Sequence, residues 1–159
     1  MNNSFTNIIT NPERTLFVGL GNRFRNDDYV GVYICETLRE NSDLNILIAE
    51  NSLENHIGKI NKMNPEQVII VDALQFNREP GFFDLISVKD IKNDTGNTHT
   101  ISLRQLAGLI MADPVTILGI QPLDVSFGTS MSLEVIESAR IIVQQLIKLC
   151  LRNHKTMQP

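Results

Sequence analysis

Three places in the sequence have side chains of the type and position that chemistry needs: Asp28 with its neighbour Asp27, Asp72, and His99. Each falls at the end of a structural element rather than inside one. Asp27 and Asp28 close a polar loop, Asn22 to Asn26, that follows the apolar run Leu16 to Leu20. Asp72 is the first charge after Val68-Ile69-Ile70-Val71. His99 stands near the end of Asn93 to Thr100, the most polar stretch inside the domain. Two carboxylates and one imidazole make a mixed oxygen and nitrogen set. Such a set suits a borderline divalent ion such as Ni²⁺ or Zn²⁺ with positions left open. It equally suits acid/base work without a metal.

Each group also has a plainer reading. An aspartate pair at a helix start is ordinarily a cap plus a solvated first-turn charge, favoured by free N–H groups and the helix dipole. An aspartate closing a strand commonly forms an Asx-turn. A histidine in a polar loop is usually just solvated, and His56 and His154 suggest no role. The glycine loop is a weak nucleotide signal. Gly19-Leu20-Gly21-Asn22-Arg23-Phe24 has two glycines of GxGxxG, but Phe24 replaces the third, and Asp27 and Asp28 would repel a pyrophosphate. There is no GxSxG, and Cys35 and Cys150 fall in helical patterns without CxxC or Cys/His spacing. They read as core thiols in a reducing compartment. Peptide or ester cleavage would therefore rely on water activated by a carboxylate or a metal.

The elements that must position these groups alternate strand and helix. Short apolar or β-branched runs predict strands at Thr15 to Leu20, Leu44 to Ala49, Gln67 to Ala73, Phe83 to Val88 (at an edge) and Val115 to Ile120. Helical spacing predicts helices over Asp28 to Glu40, over Leu53 to Met63 with Ser52 as N-cap, from a Ser102–Gln105 capping box, and over Ser132 to Arg152. The expectation is one three-layer α/β domain over residues 1–159, with a mainly parallel five-stranded sheet and helices on both faces. Residues 1–14 read as a loose leader and 153–159 as a disordered tail. In such a sheet the loops after successive strands open on one edge, where α/β folds keep their sites. Asp28 and Asp72 are thus expected to meet there, with His99 on a loop folding over.

Composition narrows the function classes. The 159 residues suffice for a single proper core, and 42% hydrophobic with 20% charged residues is ordinary for a globular chain. A net charge of −4 without a Lys/Arg-dense stretch argues against a nucleic-acid or membrane-surface partner. The polar N-terminus lacks the apolar core of a signal peptide, and no apolar run approaches a membrane span. The expected location is cytoplasmic.

Taken together, these motifs resemble the [NiFe]-hydrogenase maturation endopeptidases. That family has a GxGNxxxxDD/DE loop after its first strand, here Gly19-Leu20-Gly21-Asn22 through Asp27-Asp28. It has a strand ending in aspartate, here Val68 to Asp72 and Ala73, and a histidine before a helix, here Thr98-His99. Glu54-Asn55, Val71-Asp72-Ala73, Thr98-His99 and Leu118-Gly119-Ile120-Gln121-Pro122 are most similar to the branch serving the formate-hydrogenlyase-type hydrogenase. The resemblance spans about residues 16 to 150. It implies an endopeptidase that removes the C-terminal extension of a hydrogenase large-subunit precursor after nickel insertion. The metal-contacting positions would be Asp28, Asp72 and His99, and the nickel would come with the substrate. Two departures lie beside that site, Tyr29 and Asn26 where glycine is common; Asp28 in place of the longer Glu is a variation also seen in the branch this chain most resembles.

Two other functions compete with this expectation. One is a non-enzymatic nickel-binding maturation chaperone using the same trio. The other is a nucleotide- or sugar-phosphate-binding α/β domain using the glycine loop. No spare apolar stripe suggests a dimer, so a monomer meeting its precursor transiently is expected.

Overall fold

The computed structural model describes residues 6–91 and 98–156. Five strands form one sheet: β1 (Thr15–Leu20), β2 (Asn45–Glu50), β3 (Gln67–Ala73), β4 (Phe83–Ser87) and β5 (Val115–Ile120). Their order is β2-β1-β3-β5-β4. All neighbours pair in parallel except β4, which runs antiparallel to β5 at the edge. Helices α1 (Val30–Asn41) and α4 (Leu133–Thr156) cover one face. The other is covered by α2 (Ile57–Met63) and α3 (Thr98–Ala107). The expected three-layer α/β domain is therefore the observed one.

The strand sequences explain the layers. Every residue of β1 is buried, because helices lie on both of its faces. Phe17 faces α1 and α4, while Leu16 and Val18 face the other layer. The same alternation runs along β3, with Ile69 and Val71 on one side and Val68 and Ile70 on the other. By this period Asp72 continues the row of Val68 and Ile70, in line with core residues. On α4, Val135, Ala139, Ile142 and Leu146 are fully buried, at the spacing of a helical stripe.

Besides shifts of one or two residues, the boundaries differ from expectation in four places. The segment read as a loose leader is packed from Thr6 onward: two 3₁₀ turns, Thr6–Ile8 and Pro12–Arg14, bring Ile9 and Pro12 into buried positions. At the other end, α4 continues past Arg152 to Thr156, so only 157–159 of the expected tail lie outside the described residues. Ser52 does not cap a helix. Its hydroxyl donates to the Ala49 carbonyl, residues Leu53–Asn55 form a 3₁₀ turn, and α2 starts only at Ile57. Helix α3 begins at Thr98, so Ser102 sits inside it and the capping box does not open it. The polar residues ahead of Ser102 carry no apolar period, so the pattern gave no sign of the first turn.

The strand order creates a crevice. From β1 the chain crosses to β2 on one side, then returns past β1 to β3 on the other. The carboxyl ends of β1 and β3 therefore flank a point where the winding reverses, the usual ligand site of open α/β sheets. Gly31 lets α1 settle against both ends. A Cβ there would stand 2.1 Å from the Val71 carbonyl oxygen and 2.4 Å from that of Leu20. Gly31→Ala must push the helix off two central strands, so about 3 kcal/mol of destabilisation is expected. At roughly 2–4 °C per kcal/mol for this size, thermal unfolding should show a fall of about 6–12 °C.

Candidate active site

Asp28 and Asp72 line one pocket of about 180 Å³ at this crevice. Leu20 and Gly21 from the end of β1, Glu50 from the end of β2, and Glu54 from the following turn join them, with Ser102, Leu103 and Leu106 of α3 opposite. Two of the three sequence-predicted residues are thus brought together. His99 lies in the first turn of α3, one turn ahead of Ser102 and Leu103, and its side chain lies outside the described residues. Among the described residues, no group of three His, Cys, Asp or Glu side chains is disposed to hold a metal ion.

The two adjacent aspartates have separate tasks. Neither is the simple helix cap that their position suggests. Asp28 accepts a 2.9 Å hydrogen bond from the Asn22 backbone N–H, which folds the glycine loop around the pocket. The loop closes so tightly that a Cβ on Gly21, at φ +136°, would lie 1.9 Å from the Asp28 carbonyl oxygen. Asp27 is fully buried and turns away. Its carboxylate accepts from the backbone N–H groups of Leu123, Asp124 and Ser132 and from the Ser132 hydroxyl, at 2.6–2.9 Å.

The residues that depart from the family pattern now have physical explanations. Asn26 has φ +45°, a left-handed conformation that glycine takes freely and asparagine tolerates. Its amide also bonds across to Asp124, and its carbonyl accepts from Ser130 N–H. Tyr29 donates a 2.7 Å hydrogen bond to Glu36, and its ring lies 5.2 Å under the Arg23 guanidinium. Arg23 grips Glu36 with two nitrogens and reaches Glu50 at 3.3 Å. Glu36 is held below the usual carboxylate range, first by the Arg23 hydrogen bond.

Asp72 is the anomaly. It is 1% exposed, and its Oδ2 is buried with no hydrogen-bond partner among the described residues. Burial pushes its carboxyl well above the ordinary range. The nearby Asp28 charge adds to this, and a hydrogen bond from the Ala73 backbone N–H only partly opposes it. The Asx-turn reading therefore does not account for Asp72, since one of its oxygens finds no donor among the described residues. A buried carboxylate of this kind is unfavourable unless something cationic or protic comes to it.

Sequence reasoning assigned no role to Glu50 and Glu54, which add two more carboxylates to the pocket lining. Glu50 ends β2 and Glu54 lies in the turn after it, so their position on the same edge was the available signal. Among the described residues the pocket lining has four carboxylates and no Lys or Arg, a setting unfavourable to phosphate. That setting opposes the nucleotide reading of the glycine loop. Gln121 serves structure: it accepts from Phe76 N–H at 2.7 Å and donates to Gln75 at 2.7 Å, tying down the loop after β3.

Residues 33–149 match the family described as hydrogenase maturation protease. The chain belongs to that family. As a hydrogenase maturation protease it is a peptide-bond hydrolase, and its relatives are similar over nearly their whole length. A Methanocaldococcus jannaschii chain named for hydrogenase maturation protease activity is 29% identical over 155 residues, covering 89% of this chain and 90% of the relative. The hydrogenase 3 maturation protease of Escherichia coli K12 is 28% identical over 132 residues, covering 80% and 85%. In three dimensions, the solution structure of the endopeptidase HycI from Escherichia coli is similar with a TM-score of 0.75 at 25% identity, over 84% of this chain and 89% of that one. The fold is also that of the HycI maturation protease from Thermococcus kodakarensis, with a TM-score of 0.78 at 23% identity over 91% and 96%. No helix of the described residues is long and apolar enough to cross a membrane.

Proposed function

We propose that this protease removes the C-terminal extension of a [NiFe]-hydrogenase large-subunit precursor after nickel insertion, and that Asp28, Asp72 and His99 meet the nickel the precursor carries. The observation that carries the reading is the buried Oδ2 of Asp72, without a hydrogen-bond partner among the described residues, in an acidic pocket shared with Asp28. A carboxylate held this way gains most when a cation arrives with the substrate. An incomplete ligand set binds metal weakly alone, and binds a loaded precursor better than an empty one because ion and thiolates come with it. Cleavage then depends on metal loading. The same carboxylates supply acceptors for the proton of an attacking water. The encounter is proposed to be transient, between a monomer and its precursor in the cytoplasm.

The test is intact mass spectrometry of hydrogenase large-subunit precursors incubated with this protein, with and without prior nickel loading. Loss of one defined C-terminal peptide from the loaded form alone is the expected result. Unchanged mass of a folded, nickel-loaded precursor, together with nickel binding by this chain, would instead favour the chaperone reading.

A further inference from the structure

Of the ten large apolar side chains exposed among the described residues, five belong to one place: Phe24, Leu123, Val125, Phe127 and Leu133. Phe127 is 87% exposed and Leu133 81%. They lie on two loops and the start of α4, laced together by backbone and side-chain bonds. Gly128 N–H donates to the Phe24 carbonyl at 2.8 Å, Asn26 N–H donates to the Gly128 carbonyl at 3.0 Å, and Arg25 Nε donates to the Val125 carbonyl at 3.0 Å. Beneath them the buried Asp27 carboxylate holds Leu123, Asp124 and Ser132. The chain thus uses buried polar groups to keep apolar side chains in water, in a fixed arrangement. A patch of this kind in a soluble enzyme marks a protein-binding surface, with aromatic anchors as its strongest points.

We infer that this ridge docks the protein substrate, through an apolar patch on the precursor's folded body that lies apart from the cleaved segment. The inference rests on the function proposed above. What identifies the occupant is continuity with the active-site pocket. Phe24 sits in the loop whose two ends, Gly21 and Asp28, line the pocket. Asn26 and Asp27 anchor the ridge, and the very next residue, Asp28, is pocket wall. A precursor seated with its scissile bond at the pocket brings its folded body beside this adjoining loop, and the ridge offers that body apolar area that the small acidic pocket lacks. Docking there also braces the loop that carries Asp28. A second exposed apolar pair, Leu109 and Met111, lies before the amino end of β5, at the opposite edge of the sheet. It provides an internal control of similar chemistry.

The test compares the wild type with Phe127→Ser, Leu123→Ser and Met111→Ser. Cleavage kinetics on the nickel-loaded precursor and, separately, the binding affinity for that precursor are measured for each. Thermal melts confirm that the variants are folded. Phe127→Ser and Leu123→Ser are expected to raise KM and weaken binding about tenfold each, with kcat within about twofold, while Met111→Ser changes neither. Unchanged KM and affinity in both ridge variants, or an equal loss in Met111→Ser, would overturn the docking surface. Precursor that binds the wild type but is never cut, with binding lost in Phe127→Ser, would sink the protease reading and keep the surface. A wild type that does not bind the precursor overturns both.

Discussion

Asp72→Asn is expected to abolish precursor cleavage, by at least about 10²-fold, while leaving the protein folded and more stable. The asparagine keeps the shape of the side chain and removes a charge that the fold holds at a disadvantage. Asp72 has a carboxyl raised above its ordinary range by burial and by Asp28. A group raised in the folded state favours folding fully below its unfolded pKa, about 3.9, and loses that contribution as pH climbs through the folded value. Wild type and Asp72→Asn should therefore melt together near pH 4. Above it the variant should gain, reaching a constant advantage once Asp72 is ionised in both folded and unfolded chains. Thermal melts from pH 4 to 8 in the absence of nickel read this directly, at about 2–4 °C per kcal/mol. A variant that loses activity but melts lower than wild type at pH 8 would show that Asp72 is a structural residue.

The second large effect is expected at Asp27, and its sign is opposite. Asp27→Ala removes the acceptor for three backbone N–H groups and one hydroxyl. Some of these donors can turn to water, since the loop is at the surface, but the cavity left under it is polar and closed. A loss of about 3–5 kcal/mol is expected, seen as a lowered melt. Amide exchange at Leu123, Asp124 and Ser132, in the loop between β5 and α4, should become faster, while exchange in the sheet changes less. Cleavage should fall as well, because the neighbouring Asp28 loses its anchor on one side. Equal protection at the three amides in the variant would mean that the loop is held by something other than this carboxylate. Asp27 and Asp72 thus give opposite phenotypes: the first stabilises the frame, while the second is tolerated by it.

The sequence carried the layered fold well, because burial on both faces leaves a direct mark. The runs at Thr15–Leu20, Gln67–Ala73 and Val115–Ile120 coincide with strands. A strand covered on two sides has no room for a charge until it ends. That same rule made Asp72 visible as the first charge after its run. Boundaries set by packing were less legible. The start of α3 at Thr98 has no apolar period to announce it, and Ile9 is buried by contacts with distant parts of the core rather than by any local pattern.

By itself, then, the sequence determined the strand-helix alternation, the edge on which Asp28 and Asp72 fall, and the motif order shared with the hydrogenase maturation proteases. These are consequences of local periodicity and of chain direction in a parallel sheet. Only the tertiary structure decided which neighbour of the Asp27-Asp28 pair does what. The two differ by one position, yet one carboxylate faces the pocket and the other is enclosed by a loop about a hundred residues later in the chain. Tertiary structure also decided that, among the described residues, one oxygen of Asp72 ends without a hydrogen-bond partner, that Glu50 and Glu54 line its pocket, and that the exposed apolar side chains around Phe127 gather on the loop next to Asp28. Hydrogen-bond partners far apart in sequence leave no periodic trace, so their arrangement becomes readable only when the chain has folded.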